Sequence, residues 1–328
     1  MSEIKTFFTR NKNVESVHLA KCLIVNSLNE IIFTTNNDQD TIFPRSAIKL
    51  FQAIPFAKSG AIQKFNLNTK QISLSCSSHV GEDFHIKELL NWFKKLNISL
   101  ESIRCGIHNP LDQNSSNKLL FSGNKPTQIH NNCAGKHLGM ISSCIANNYN
   151  IKSYLDFNHP HQKEIRKSIE YFSENKIERN DFAIDGCSAP QYGLKINNLS
   201  TALINLSKNI KNKKNIANIL VEAILKNPKF IGGTNNLDSN LIKISEKEIF
   251  CKGGAEGVLL FVHLKKGIAG VIKVEDGNER ALPSIVYNLF TKLKILSSSK
   301  NLFLKKWHKN KLINHAGKKI GDIFTEIN

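Results

Sequence analysis

Two sequence patterns typical of β-hairpins, one near each end of the chain, restrict the possible folds most strongly. Near the start, residues 18–26 and 30–36 are strand-like apolar runs separated by a short polar turn. Near the end, residues 248–264 and 268–276 form a second such pair, separated by a Lys-Lys-Gly turn. Apolar runs bounded by tight turns favour antiparallel strands. The two patterns therefore predict one antiparallel sheet to which both chain ends contribute.

The region between the two hairpins is predicted to be mostly helical. One helix is indicated by apolar residues at helical spacing, which are Ile86, Leu89, Leu90, Phe93 and Leu96. Two more are indicated by Pro160, which suits a helix start, and by an apolar stretch that stops at Pro228. We therefore expect an α/β (α+β) protein in which the sheet and a helical subdomain form a single domain over residues 1–328.

The composition is typical of a cytoplasmic globular protein. Of the 328 residues, 41% are hydrophobic, but no apolar run is long enough to span a bilayer. The first residues carry charge without the apolar core of a signal peptide. The seven cysteines are odd in number and widely spaced, which argues against a disulfide framework. We therefore expect a cytoplasmic protein without a membrane partner.

The basic charge of the chain raises the question of a nucleic-acid partner. The formal net charge is +18, and clustered lysine and arginine side chains bind phosphate backbones. The dense basic runs, at 207–215 and 305–311, lack an RNA-binding signature and a recognition-helix pattern. Net charge bears on partners and solubility rather than on chemistry. We therefore expect no specific nucleic-acid partner.

Ser46 and Lys49 lie three residues apart in a short predicted helix between Pro44 and Pro55, and this spacing places both on one helix face. A serine hydroxyl becomes a good nucleophile when a base takes its proton. A lysine amine can be that base if its pKa falls by roughly 3 units from ~10.4, at a cost of about 4 kcal/mol. A helix N-terminus supplies ~1–2 kcal/mol of this, and burial and positive groups such as Arg45 must supply the rest. Taken alone, the pair is also explained as a chance spacing of two abundant residues.

The order of later motifs favours the catalytic interpretation. Ser78 and His79 follow in a predicted turn, and Lys252 comes before two glycines on a late predicted strand. Penicillin-binding proteins and serine β-lactamases have the same order of Ser-x-x-Lys, a serine motif and a lysine–glycine strand motif. The lysine then faces the nucleophile from the strand, and the glycine lets substrate approach the backbone.

Two cysteines in polar turns are candidates for a metal site. Cys133 lies in a glycine-containing turn with a lysine and a histidine, and Cys187 follows an aspartate and a glycine. Two thiolates and a histidine are a usual zinc set, which makes His137 or His130 the third ligand by residue type. The spacing matches no standard zinc finger, so buried structural thiols remain the alternative.

Seven motifs in chain order resemble the Rhizobium-type L-asparaginase family, also called class 3 or the L-asparaginase II family. They are VESVHLAKCLIVN, FPRSAIKLFQAIP, CSSHVGE, NNCAGKHLGM, DGCSAP, KGGAEGV and VEDGNERA. The matches run from about residue 14 to residue 280, and the tail LINHAGKKIGDI also resembles the family's ending. The resemblance therefore covers nearly the whole chain, and seven ordered motifs are far more specific than any one of them.

The resemblance implies an activity, a fold and an assembly. The family hydrolyses L-asparagine to L-aspartate and ammonia, has a fold like that of the serine β-lactamases, and forms homodimers. It carries two Ser–Lys tandems in one site, and these correspond to Ser46 with Lys49 and to Ser78 with Lys252. Which of the two serines attacks the substrate is left open by the sequence.

The resemblance also implies a zinc ion near the substrate, held by two cysteines and a lysine amine. These residues correspond to Cys133, Lys136 and Cys187, and Asp185 belongs to the same site. In this set Lys136 is the third ligand, in place of the histidine that residue type alone favoured. A zinc ion favours a neutral lysine, and its charge lowers the pKa of nearby lysines, so it would help Lys49 to act as a base.

Four further residues are expected to bind substrate, and they are Arg45, His79, His137 and Asp185. Two positions depart from the family pattern: Gly253 stands where a hydroxyl residue is usual, and Asn109 stands where an aromatic residue is common. The first puts a substrate hydrogen bond in doubt and the second alters the pocket. The alternative functions are another serine acyl hydrolase of the penicillin-binding-protein type and a basic binding protein without catalysis.

Overall fold

The computed structural model of the chain describes residues 2–211, 215–308 and 310–328. Twelve strands lie in these residues and are numbered β1 to β12 in chain order: Ile4–Arg10, Asn13–Val25, Ile31–Thr34, Thr41–Ile42, Phe182–Ile184, Pro190–Tyr192, Leu194–Lys195, Ile249–Gly254, Val258–His263, Ile268–Val274, Lys311–Ile313 and Lys319–Ile327. Thirteen α-helices of the same residues are numbered α1 to α13: Lys49–Gln52, Ile54–Lys58, Ala61–Lys64, Thr69–Leu74, Asp83–Leu96, Gln113–Phe121, Ala134–Ala146, Pro160–Ser173, Ile196–Lys211, Ile216–Lys226, Leu237–Ile244, Leu282–Lys292 and Ser298–Trp307.

The chain forms two compact units. The first contains the N-terminal residues up to Ala47, Leu194–Ser207, and the residues from Leu241 onward. The second contains Ile48–Gly193 and Lys208–Asn240. The assignment of the whole chain to a single catalytic domain stays a prediction.

In the first unit, residues from both chain ends meet in one antiparallel sheet. Eight described strands belong to it, with the order β11-β12-β1-β2-β10-β9-β8 and with β3 also paired to β2. In β1, Ile4 lies opposite Ile327 of β12 on one side and opposite Ala20 of β2 on the other. β9 is buried along its whole length, and α12 packs against β12 and β1. The predicted sheet to which both chain ends contribute is confirmed.

Both predicted hairpins are confirmed, the second through the pairing of β9 with β10 across the Lys-Lys-Gly turn, but the first strand of the second hairpin is corrected. β2 pairs with β3 through the predicted turn, although β2 begins earlier, at Asn13. Residues 248–264 were expected to form one strand but contain two, β8 and β9, which form a hairpin of their own. The turn between them places Glu256 and Gly257 in the left-handed region, at φ 66° and 67°. Two successive residues with left-handed backbones form a tight turn. The apolar pattern of the sequence gives no sign of this turn.

The second unit is mostly helical, as predicted. α5 contains the apolar residues whose spacing predicted it, α8 begins at Pro160, and α10 ends before Pro228. α7 is buried over most of its length and packs against α2, α4 and α5. β5 and β6 form a small antiparallel pair, the only strands of this unit in the described residues. The α/β class, with an antiparallel sheet and a helical part, is therefore confirmed.

The segment that carries Ser46 is not the single helix that was predicted. Arg45–Ile48 is a 3₁₀ turn that leads directly into α1, which begins at Lys49. Pro55 does not end a helix but lies in the first turn of α2, where the missing proline N–H is tolerated. Ser46 is half-buried and Lys49 is fully buried. Arg45 has a left-handed backbone, with φ 52°.

The part of the chain that the structure describes contains no helix long and apolar enough to cross a membrane. The basic runs at 207–215 and 305–311 lie partly outside the described residues.

Candidate active site

The loop after α4 carries Ser78 and is fixed by backbone hydrogen bonds. The Ser78 N–H donates to the Ile231 carbonyl and the Val80 N–H donates to the Gly232 carbonyl, both at 2.9 Å. Ser78 lies in a turn, as predicted, and α5 begins only at Asp83, after Gly81, whose backbone is left-handed. The Ser78 side chain is half-buried. Its backbone is therefore held in place while its hydroxyl stays within reach of a ligand.

Lys49 is bonded directly to this loop. Its Nζ donates to the Ser77 carbonyl at 2.5 Å and lies 3.0 Å from the Ser78 hydroxyl, and its side chain is 0% exposed. An ammonium group at this position donates to the hydroxyl, whereas a neutral amine accepts its proton. The structure thus joins two residues that the sequence placed in different Ser–Lys tandems. The assignments of Ser46 to Lys49 and of Ser78 to Lys252 stay predictions.

Lys252 and Ser46 both belong to the first unit, where β8 meets the turn that carries the serine. Lys252 is buried on β8, and its Nζ donates to the carbonyl of the next residue at 2.8 Å. A Cβ at Gly254 would lie 2.3 Å from the Pro44 oxygen and 3.1 Å from the Ala47 nitrogen. Glycine is therefore required where the strand approaches the backbone of the turn. The approach of substrate to this glycine motif, which the sequence suggested, stays a prediction.

Cys133, Lys136 and Cys187 come together in the second unit. The Lys136 Nζ lies 2.9 Å from the Cys187 Sγ, and the thiols of Cys133 and Cys187 are near enough to shift each other's pKa. All three side chains are at most 4% exposed. Asp185 lies at the edge of this cluster, with its carboxylate 4.0 Å from the Cys187 sulfur. The motifs at 131–137 and 185–190 thus converge on one point, as predicted.

The three groups of this cluster balance one another electrostatically. The hydrogen bond from Cys133 and the charge of Lys136 lower the pKa of Cys187 to about 4, although burial opposes this. The same hydrogen bond, together with burial, raises the pKa of Cys133 to about 12. Burial lowers the pKa of Lys136, but the two sulfurs and Asp185 outweigh it and raise that pKa above its usual range. A thiolate, a thiol and an ammonium group result, with a net charge of zero.

This donor set fits a zinc ion by its chemistry. Zinc with two thiolates and a neutral amine also has zero net charge, so the surroundings that stabilise the protonated cluster suit the metal-bound one. In the described residues, no group of three or more histidine, cysteine, aspartate and glutamate side chains is arranged to hold a metal ion. The predicted zinc ligands are two cysteines and a lysine, so they are not a group of three such side chains.

The two histidines considered as ligands by residue type make other contacts. The Nδ1 of His137 lies 2.5 Å from the Tyr154 hydroxyl, and burial followed by the charge of Lys136 lowers the pKa of His137 to about 3. The Nδ1 of His130 accepts from the Thr127 N–H at 3.0 Å, which closes a short helical turn. One ring nitrogen of each histidine is therefore used within the protein.

His79 and Tyr154 complete the surroundings of the candidate site. His79 is 0% exposed, and neither ring nitrogen has a hydrogen-bond partner within residues 2–211, 215–308 and 310–328. Burial, followed by the charges of His85 and Lys49, keeps its pKa well below the usual range. Tyr154 was not selected from the sequence, because a single tyrosine outside any motif gives no sign of a functional role. The predicted substrate-binding role of His79 stays a prediction.

Gly135→Ala is expected to lower both the melting temperature and the activity. Gly135 lies on α7 just before Lys136, and a Cβ there would lie 2.2 Å from the Leu74 oxygen. Overpacking of this kind costs about 1–3 kcal/mol and would displace the helix that carries Lys136. Gly139→Ala is the matched control on the same helix, because the nearest atom to its Cβ is the Ser75 Cβ at 3.1 Å. Equal losses of melting temperature in the two variants would contradict this account.

Comparisons with known proteins identify relatives of the chain. A family model described as L-asparaginase II matches residues 7–325. Among curated proteins, none matches. One similar solved structure is that of a protein from Bacteroides dorei DSM 17855 with a provisional β-lactamase designation. It is 10% identical, with a TM-score of 0.40, and the alignment covers 90% of this chain and 94% of that chain. Similarity at this level says nothing about activity.

Proposed function

The chain belongs to the L-asparaginase II family, and from this premise we propose that it is an amidohydrolase that converts L-asparagine to L-aspartate and ammonia. The family match over residues 7–325 carries the proposal. The buried contact between the Lys49 amine and the Ser78 hydroxyl supports it, because serine hydrolysis of an amide needs a base within reach of a hydroxyl.

We propose that Ser46 is the nucleophile and Lys49 the base. The Ser46 Oγ attacks the side-chain carbonyl carbon of asparagine, and the Lys49 amine takes the hydroxyl proton. The carbon–nitrogen bond then breaks, the proton passes to the leaving nitrogen, and ammonia departs from an ester on Ser46. Water, deprotonated by the same amine, attacks the ester and releases aspartate. The hydrogen bond from Lys49 to the Ser77 carbonyl holds the amine in one orientation throughout.

Ser78 and Lys252 are assigned to proton relay and to holding the amide. The contact between the Ser78 hydroxyl and Lys49 gives Ser78 a route to receive or return the same proton. The same contact makes Ser78 the alternative nucleophile. Covalent labelling with an electrophilic asparagine analogue, followed by peptide mapping, distinguishes the two. A label on Ser46 supports the assignment, and a label on Ser78 reverses the roles of the serines.

We further propose that Cys133, Lys136 and Cys187 hold one zinc ion, with Asp185 beside them. Bound there, zinc would supply a Lewis acid for an anionic oxygen of the substrate, and its two thiolates would leave the site without net charge to repel that oxygen. The contact between Lys136 and Cys187 places the donors close together before any metal binds. The side chains of Cys133, Lys136 and Cys187 are all buried, so water competes little for the same donors.

Ammonia release from L-asparagine by the purified protein is the direct test of the proposed function. A chromogenic β-lactam in the same preparation tests the alternative acyl hydrolase, and retention on heparin at physiological salt tests the alternative basic binding protein. We expect the protein to release ammonia from L-asparagine. We expect it neither to hydrolyse the β-lactam nor to stay on heparin at physiological salt. If the protein stays on heparin and does not hydrolyse L-asparagine, it is a basic binding protein and not an amidohydrolase.

Activity is expected to rise on the alkaline side of neutral. A lysine base works in its neutral form, and the neutral fraction grows as the pH approaches the pKa of the amine. The acid limb of the kcat/KM profile should therefore report this base. An assay in overlapping buffers from about pH 5 to about pH 9 measures it. A flat profile over that range would contradict a lysine base.

A further inference from the structure

A cavity of about 780 Å³ lies in the first unit, where the turn between β9 and β10 meets the loop between α12 and α13. The Lys266 amine, in that turn, donates to the Lys294 and Ile295 carbonyls of the loop at 3.1 and 2.8 Å. These two bonds tie the walls of the cavity together. Its volume is in the usual range for small-molecule sites, roughly 300–1,000 Å³. The described lining residues include none of the candidate active-site residues, so the cavity is a separate place in the molecule.

The cavity has an excess of positive charge. Four lysines line it, and they are Lys265, Lys266, Lys294 and Lys300. Lys265 and Lys300 pair with the carboxylate of Glu248 at 3.1 and 2.7 Å, and Lys300 also pairs with Glu246 at 3.1 Å. These two lysines and two carboxylates balance each other. The other two lysines have no carboxylate partner in the described residues, which leaves two positive charges without compensation.

His263 adds a buried polar group to the wall of the cavity. It is 2% exposed, and burial, followed by the charge of Lys266, lowers its pKa, so the ring is neutral near pH 7. Its Nδ1 accepts from the Lys266 N–H at 3.4 Å, which places the proton on Nε2. The nearest carboxylate oxygen, on Glu248, lies 4.0 Å from Nε2, too far for a hydrogen bond. This N–H is therefore left for a ligand.

The start of α13 supplies further donors. Ser297 and Ser298 line the cavity, and Ser298 is the first residue of the helix. The Ser297 hydroxyl, in the capping position, accepts no hydrogen bond from the helix. It lies instead 3.2 Å from the Ser299 hydroxyl. The N–H groups of the first helical turn are thus not capped by this side chain, and such groups bind phosphate well.

We propose that this cavity binds a small molecule through its phosphate group. A phosphate dianion compensates the charges of Lys266 and Lys294, whereas a single carboxylate would compensate only one of them. The cavity is larger than one phosphate group, so it also accommodates an organic part beside the half-buried ring of Tyr287. A nucleic acid, by contrast, is bound by a stripe of cations along a surface. The proposal does not depend on the amidohydrolase activity.

Calorimetry on the wild-type protein in a phosphate-free buffer is the first test. The probes are inorganic phosphate, adenosine monophosphate and adenosine. Both phosphate compounds should bind, and adenosine should not. Tighter binding of adenosine monophosphate than of inorganic phosphate would indicate a ligand with an organic part, and the reverse would indicate free phosphate. If neither phosphate compound binds at millimolar concentration, or if adenosine binds as well as its monophosphate, the proposal is wrong.

Lys294→Glu should weaken the binding of adenosine monophosphate by about 10- to 100-fold, the range for a hydrogen bond to a charged group. Lys87→Glu is the matched control, because it makes the same charge change at an exposed lysine of α5. It should leave the affinity nearly unchanged. Both lysines are exposed, so both variants should melt near the wild-type temperature. Equal weakening in the two variants, or tighter binding of a short DNA duplex that both variants lose, would indicate a diffuse basic surface and overturn the site.

Ser298→Pro tests the contribution of the helix start. Proline is tolerated at the first helical position, and Ser297 already has the extended backbone that a residue before proline requires, with φ −65° and ψ 157°. The change removes one N–H without breaking the helix. Binding of inorganic phosphate should weaken by about 2- to 10-fold at an unchanged melting temperature. Unchanged affinity would mean that phosphate lies away from α13, and the site as proposed would be wrong.

Discussion

Lys49→Met is expected to lower kcat for ammonia release from L-asparagine by about 10²- to 10⁴-fold, the usual contribution of a general base. Methionine keeps most of the volume of the fully buried lysine and removes the amine. The contact to the Ser78 hydroxyl and the bond to the Ser77 carbonyl are then lost together. Ser46→Ala should lower kcat at least as strongly, because it removes the proposed nucleophile and leaves α1 intact.

Matched controls separate catalysis from folding. Lys58→Ala removes an exposed lysine from α2, the next helix along the chain, and should leave both kcat and the melting temperature nearly unchanged. Lys49→Met should unfold at a temperature within a few degrees of the wild type, since the core volume is kept. Near-normal turnover in Lys49→Met or in Ser46→Ala would remove that residue from the mechanism.

The two hairpins of the sheet could be predicted from the sequence because their signals are local, whereas the pairing of β1 with β12 joins opposite ends of the chain. The turn at 27–29 and the apolar runs beside it specify the hairpin of β2 and β3 without knowledge of the rest of the chain. The division of 248–264 into β8 and β9 depends on the left-handed backbone of Glu256 and Gly257. Of these two residues, only Gly257 is of a type that favours a left-handed backbone. The turn was therefore not recognised within the apolar run.

The contacts within the candidate site could not be predicted in the same way, because they join residues far apart in sequence. The ordered motifs indicated that Lys49 and Ser78 matter, but the bond between them depends on the path of the loop after α4. Likewise, the bond from Tyr154 to His137 has no local signal. The cluster of Cys133, Lys136 and Cys187 was predicted through the resemblance, whereas residue type alone favoured a histidine.

Several predictions from the sequence are not tested by a single chain. The homodimer, the cytoplasmic location and the lack of a specific nucleic-acid partner stay predictions. The departures at Gly253 and Asn109 also stay open in their effect on substrate. The carbonyl of Gly253 accepts a hydrogen bond from the Lys252 amine at 2.8 Å.

Cys187→Ser is expected to lose most of the zinc that the wild type binds, which should be about one ion per chain. Cys187 is central to the cluster, because it contacts the Lys136 amine and its pKa is lowered by the neighbouring Cys133 thiol. A serine hydroxyl is a far weaker zinc ligand than a thiolate. Activity and substrate affinity should fall more than the melting temperature. Elemental analysis after dialysis against a weak chelator measures the metal.

Cys22→Ser is the matched control for this change. Cys22 is a fully buried thiol of β2 in the first unit, and burial alone raises its pKa far above the usual range. A serine hydroxyl there costs stability in an apolar core, so Cys22→Ser should lower the melting temperature and leave the zinc content unchanged. Cys187→Ser should instead lower the zinc content more than the melting temperature. The opposite effects of the two variants distinguish loss of a ligand from loss of packing.

The identity of the third ligand is decided by Lys136→Ala and His137→Ala. The Lys136 amine lies 2.9 Å from the Cys187 sulfur, whereas the Nδ1 of His137 is bonded to Tyr154. Lys136→Ala should therefore lose zinc, and His137→Ala should keep it while it weakens substrate binding. If His137→Ala loses the metal and Lys136→Ala keeps it, the ligand set carried over from the family is wrong. The set of two cysteines and a histidine, which residue type alone favoured, would then be correct.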